Sequence, residues 1–215
     1  MTTNTKPGTE GTLYMRMLVT AALLVAASFA SQVQAALYTV NFEDGTLSDD
    51  GLSIPNTYLG LNWSDGAIGT LNGSLYFTNQ TGYVFGAVDG PRTAYNKNGV
   101  PTSITSADGT PFAYEGGTWA ASFGSFDLTI AGYLNGVLQF ETTRQIFEET
   151  PIVISEAAFS SKAIDELRLS TNSGGLPWAL DHFQFSSPAP VPEPATFTYL
   201  IAGLMLLAGV VRHCR

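Results

Sequence analysis

From residue 36 to residue 186 the chain runs as short alternations of apolar and polar side chains, broken by Gly, Asp, Asn and Pro. Leu37 to Glu43 places Tyr38, Val40 and Phe42 on one face, and Asp44-Gly45 ends the run as a turn. Tyr58 to Trp63, Ser74 to Thr78 and Tyr83 to Val88 are predicted as further strands. Between Asp89 and Gly117 the apolar pattern fades into Gly, Pro, Asn, Thr and Asp. That stretch reads as a long loop region, where binding residues concentrate. Phe126 to Ile130 then alternates strictly, reaches Asn135-Gly136 and resumes as Val137 to Glu141. Asn-Gly between two β-prone runs predicts a hairpin, because a type I′ turn needs positive φ at both central residues. Ile152 to Ile154, Ala163 to Ser170 and Trp178 to Phe185 complete the set. No sustained helical period occurs before the C-terminal tail, and no internal repeat is visible. Short strands at this spacing predict an all-β domain, an antiparallel β-sandwich of the jelly-roll kind.

The two extremities follow other rules. Met15-Arg16-Met17, the apolar run Leu18 to Ala30 and the small-residue site Val33-Gln34-Ala35 before Ala36 have the order of an export signal peptide. The run is shorter than the roughly 20 residues of a spanning helix. Residues 1–35 are therefore expected to be removed, with Met15 an alternative start. At the other end a Pro-rich linker, 187–191, leads to Pro192-Glu193-Pro194-Ala195-Thr196. An apolar segment follows from Phe197 to Val211, predicted as a transmembrane helix, and Arg212-His213-Cys214-Arg215 closes the chain.

Val191-Pro192-Glu193-Pro194-Ala195-Thr196, the apolar helix and the terminal Arg212 and Arg215 together resemble the PEP-CTERM sorting domain. The same tail also goes under the name of ice-binding protein C-terminal domain, a label that implies no ice binding. The resemblance covers 192–215 and departs from the family pattern in having only two arginines. It implies handling by an exosortase, as the N-terminal signal implies passage through the Sec machinery and cleavage by signal peptidase. The cytoplasmic membrane would then be an intermediate on the way to the cell surface or extracellular space.

Composition narrows the domain's chemistry. The chain carries a net charge of −9 from 9 basic and 18 acidic residues. Four of the basic residues (Lys6, Arg16, Arg212, Arg215) and two of the acidic ones (Glu10, Glu193) belong to the ends, so the middle is more acidic still. Such a surface repels nucleic acid, which is not an expected partner. The single cysteine, Cys214, lies in the tail, so the domain is held by core burial without disulfides or thiolate metal sites.

In Trp178-Ala179-Leu180-Asp181-His182-Phe183-Gln184-Phe185, strict alternation sets Asp181 on the face of Ala179, Phe183 and Phe185. A carboxylate among aromatics needs a partner: backbone N–H groups, Arg168 on the preceding strand, or a metal ion. Asn41-Phe42-Glu43-Asp44-Gly45 at the start and Leu180-Asp181-His182-Phe183 at the end resemble the opening and closing stretches of galactose-binding-like carbohydrate-binding modules. That resemblance implies a structural Ca²⁺ held by Glu43 and Asp181, with Asp44 or Thr46 nearby. The alternative is an Asp44 that caps its turn and a hydrogen-bonded Asp181.

Sugar platforms are usually aromatic, and Tyr95 and Tyr114, in the polar region, are the expected glycan-binding residues. Trp63, Tyr76, Tyr83, Trp119 and Trp178 are the other candidates, most of them destined for the core. No catalytic residue is expected. The domain's one histidine, His182, falls inside a strand, no hydrolase or phosphate-loop motif occurs, and the acidic pairs Glu148-Glu149 and Asp165-Glu166 read as solvated faces. The expectation is a non-catalytic sandwich binding extracellular polysaccharide or matrix. A purely structural matrix protein or adhesin is the first alternative, and a glycan-cleaving hydrolase the second.

Overall fold

The computed structural model describes residues 35–77 and 81–187. The expected export signal, the Pro-Glu-Pro motif and the expected C-terminal transmembrane segment lie outside the described residues. Among those described, no helix is long and apolar enough to cross a membrane.

Among the described residues, twelve strands form two antiparallel sheets. They are β1 (Ala36–Val40), β2 (Asp50–Ser53), β3 (Leu61–Trp63), β4 (Ile68–Asn72), β5 (Arg92–Asn96), β6 (Thr102–Ser106), β7 (Ala113–Ala121), β8 (Ser125–Leu134), β9 (Val137–Phe147), β10 (Ile152–Ile154), β11 (Glu166–Thr171) and β12 (Trp178–Ser187). The larger sheet runs β10-β7-β12-β5-β4-β2, and the smaller one runs β3-β6-β11-β8-β9. Strand β12 lies beside β7 on one side, and on the other it is shared. Ala179 and Leu180 pair with Tyr95 and Ala94 of β5, whereas Phe183 to Ser187 pair with β1. The fork between β5 and β1 falls at Asp181 and His182.

The core is rich in aromatics, as the composition requires. Trp63, Trp119 and Trp178 are all fully buried, with Phe42, Tyr114 and Phe183 among them. Trp63 meets Phe42 and Phe183 edge-on, at 5.7 and 5.4 Å between ring centres. Burying a large apolar side chain contributes roughly 1.5–3 kcal/mol, so these rings supply the cohesion that disulfides supply elsewhere.

The hairpin at Asn135-Gly136 forms as expected, with φ of 51° and 75° at its two centres, between β8 and a β9 longer than the alternation alone marks. Three expectations are corrected. The runs predicted as strands over Ser74 to Thr78 and Tyr83 to Val88 are not strands where described: Gly73–Tyr76 (α1) and Gly82–Phe85 (α2) are single helical turns, and Thr78 lies outside the described residues. Short apolar runs do not fix a period by themselves. Here they pack as a second apolar layer on the outside of the larger sheet, where Tyr83 meets Leu71, Ala120 and Ala179.

The region 89–117 is also not one loop. It contains β5, β6 and the start of β7, and Thr93, Asn96 and Thr102 are buried inside the sheets instead of facing water. Asn96, for example, receives the Trp178 amide at 2.7 Å and donates to the Val100 carbonyl at 2.9 Å. A polar strand of this kind is stabilised by its ladder and its local hydrogen bonds, which leave no apolar alternation to read.

Finally, β12 does not keep one register. A shift between Asp181 and Gln184 puts Trp178, Leu180, Phe183 and Phe185 in the main core and Ala179 in the outer layer. Asp181 therefore does not share a face with Phe183 and Phe185, as strict alternation implied. The extra residue is His182, at φ 48°, and a bulge of this kind changes which face each later side chain meets.

Candidate functional site

Two regions carry the domain's distinctive chemistry: a charged clasp at the fork of β12, and an aromatic face on the outside of the larger sheet.

At the fork, Asp181 is fully buried and its two oxygens are met by three amides. Val88 and Asp89 donate to Oδ2 at 2.8 and 2.9 Å, and His182 donates to Oδ1 at 2.7 Å. Of the partners open to it, backbone N–H groups are the ones used. Arg168 instead pairs with Glu166 at 2.8 Å and lies 4.1 Å over the Tyr133 ring. Burial raises the Asp181 pKa, and the three amides pull against it. Asp89 is tied in turn to His182 Nε2 at 3.2 Å and to Asn41 Nδ2 at 3.3 Å, and these bonds hold its carboxyl below the usual range.

Glu43 lies on the other side of the same loop. Its Oε1 accepts the Arg92 amide at 2.8 Å, and its Oε2 lies 3.5 Å from the Arg92 guanidinium. Gly90 is required here, because a Cβ on it would stand 2.3 Å from the Glu43 carboxyl carbon and its φ is 101°. Asp44 caps its own turn by accepting the Thr46 amide at 2.8 Å, which lowers its pKa.

The arrangement does not fit a Ca²⁺ shared by Glu43 and Asp181. Glu43 is engaged by Arg92 and Asp181 by amides, and among the described residues no three acidic, His or Cys side chains gather to hold a metal.

The aromatic face is built by segments far apart in sequence. Phe77 stacks on Tyr83 at 5.2 Å and 19°. Phe123 stands edge-on to both, at 6.1 and 6.2 Å, and Tyr95 is edge-on to Tyr83 at 5.6 Å. Phe123 is 40% exposed, and Leu75 (63%) and Tyr76 (53%) of α1, just before Phe77 in the chain, are exposed as well. Tyr76 donates to Asp50 Oδ1 at 2.6 Å and Tyr95 to the Gly51 carbonyl at 3.2 Å, so β2 fixes both phenols. Burial pushes the Tyr83 phenol up to about 12, so it stays a neutral donor. Helical turn α2 sits hard on the sheet: a Cβ on Gly82 would stand 1.8 Å from the Ala121 carbonyl oxygen.

Of the two tyrosines expected to bind glycan, Tyr95 belongs to this face, half-buried at its edge. Tyr114 does not. It is fully buried in the core, donating to the Ile154 carbonyl at 3.2 Å and accepting the Trp119 indole N–H at 3.1 Å. Sequence reasoning missed Phe77 and Phe123. The available signal was Phe123 itself, a large apolar residue placed beside Gly124 in the turn between β7 and β8.

Several other charged groups are used structurally. Glu148 accepts the Gly124 amide at 2.7 Å, and Asp165 accepts the Asn135 amide at 2.8 Å. Arg144 pairs with Glu156, and Lys97 donates to Ser53 Oγ at 2.7 Å.

The fold and these two regions define a two-sheet antiparallel β-sandwich with an aromatic outer face. No protein-family description and no curated protein sequence matches the chain. Among solved structures it is similar to a DUF4465 family protein from Bacteroides caccae, at 11% identity over 73% of this chain and 96% of that one, with a TM-score of 0.46. It is also similar to the CBM22-1 xylan-binding domain of Paenibacillus barcinonensis Xyn10C, at 13% identity over 75% and 100% of the two chains, with a TM-score of 0.43. A third is TmCBM61, solved with β-1,4-galactotriose, at 11% identity over 61% and 93%, with a TM-score of 0.30.

Proposed function

We propose that this domain binds neutral, hydroxyl-rich glycan chains without cleaving them, using the aromatic face of the larger sheet. The observation that carries the reading is the cluster of half-buried Phe77 and exposed Phe123 around buried Tyr83, flanked by Tyr95 and with exposed Tyr76 on the adjoining turn. The C–H faces of a pyranose ring pack on such rings, and the phenols offer hydroxyl partners at the rim. Anionic polymers suit it poorly, since Arg92, Arg144 and Arg168 are already paired with carboxylates.

The chain itself is exported, by this reading, and its tail is handled by an exosortase at the membrane. The support for that lies in Val33, Ala35 and Ala36 at one end and in Val191 to Thr196 with Arg212 and Arg215 at the other.

The binding test is a glycan array on the exported protein, with Phe123→Ala and Tyr76→Ala beside it. Saturable binding to neutral polysaccharide that falls at least about tenfold in either variant, each with an unchanged melting curve, supports the reading; a tenfold loss corresponds to about 1.4 kcal/mol. Absence of binding to every glycan would turn the reading toward a structural matrix protein or adhesin. The export test is the N-terminal sequence of the secreted form, expected to begin at Ala36.

A further inference from the structure

Around Arg92 the chain assembles the ligands of a cation site and supplies the cation itself. Four oxygens from four residues face one guanidinium. Asp49 Oδ1 accepts from Nε at 2.5 Å. Glu43 Oε2 lies 3.5 Å from a terminal nitrogen, and the carbonyls of Phe42 and Asp44 lie 3.5 and 3.4 Å from the same nitrogen. Two carboxylates with two main-chain carbonyls make the oxygen set a hard divalent ion selects. The Arg92 side chain is only 16% exposed, and a guanidinium keeps its charge at every accessible pH.

The local backbone is shaped to present those oxygens. Phe42 is held at φ 59°, a conformation a bulky residue rarely adopts, with its ring locked against Trp63 in the core. Gly90 leaves the space that the Glu43 carboxylate occupies, and Pro91 sets Arg92 at the start of β5.

We propose that Arg92 is a built-in substitute for a divalent cation at the junction of β1, the turn after it and β5. The native domain then needs no Ca²⁺, and removing the guanidinium opens a latent Ca²⁺ site formed by Glu43, Asp49 and the carbonyls of Phe42 and Asp44. This inference is independent of the glycan reading, since Arg92 is no part of the aromatic face.

The test melts the full chain and its Arg92→Ala variant in EDTA, in millimolar CaCl₂ and in MgCl₂. The unsubstituted protein is expected to melt at one temperature in all three. The variant should melt lower in EDTA and recover at least about 2–4 °C in Ca²⁺. Adding Asp49→Asn to the variant should abolish that recovery. Terbium luminescence sensitised by Trp63 provides a second readout, expected in Arg92→Ala and absent from the parent. A fall in the parent's melting temperature on chelation, or a variant that gains neither stability from Ca²⁺ nor terbium emission, would overturn the proposal. A variant that folds only when Ca²⁺ is present supports it, and one that folds in neither medium counts against it.

Discussion

Asp181 is the residue on which the fork of β12 turns. Its buried carboxylate accepts from three part-buried amides, so Asp181→Ala leaves Val88, Asp89 and His182 without this acceptor. Unsatisfied buried donors cost about 1–3 kcal/mol each, partly relieved by relaxation, and the variant should lose roughly 2–5 kcal/mol in urea unfolding. Its pH dependence has a definite sign. Because burial raises the folded pKa above the unfolded one, the native state holds the Asp181 proton more tightly. Stability from this group is therefore greatest below the unfolded pKa of about 4 and declines as pH rises through the folded value. Asp44 and Asp89, whose pKa values are lowered, act in the opposite sense: their contribution is present above about pH 4 and is lost as pH falls. Urea titrations across pH 3–7 should thus give a difference between the parent and Asp181→Asn that shrinks as pH rises. A difference that grows with pH would contradict the burial argument. The need of Asp181 for a partner was legible in the sequence; which partner served was not, because two of the three amides, those of Val88 and Asp89, lie 93 and 92 positions away.

At the scale of elements, the hairpin and the helical turn α2 use glycine for different reasons, and substitution separates them. Gly136 has φ 75° and open space around its missing Cβ, so Gly136→Ala should cost only the conformational penalty, about 1–2 kcal/mol. Gly82 meets the Ala121 carbonyl oxygen, so Gly82→Ala must push α2 off the sheet. It should destabilise more than Gly136→Ala and should also weaken glycan binding, because Tyr83 rides on that turn and Phe77 stacks on Tyr83. Equilibrium unfolding and array binding of the two variants check both statements. The hairpin could be read from two adjacent residues because its geometry is local. Strands β5 and β6 could not, since their Thr, Ser and Asn side chains draw stability from sheet neighbours instead of from an apolar face. The strand assignment for 83–88 failed for the related reason that Tyr83 and Val84 suit a strand or a helical turn equally until something packs against them.

For the molecule as a whole, charge and shape point the same way. With its arginines paired internally, the domain has no basic stripe to hold an anionic polymer, so glycan binding should change less than about twofold between 50 mM and 500 mM NaCl. A steep salt dependence in calorimetry would point to an electrostatic ligand instead. What the sequence by itself determined is what depends on neighbours along the chain: the all-β character, several of the short strands and the hairpin at Asn135-Gly136. The tertiary structure decided what depends on distant residues meeting. The β12 bulge at His182 moved Asp181 off the face that alternation assigned to it. The guanidinium of Arg92 took the oxygens of Glu43 and Asp49, and rings from 77, 83, 95 and 123 converged on one outer face while Tyr114 went into the core. A period of two states which side chains share a face only while the register holds, and which partner fills a given space is settled by packing between elements.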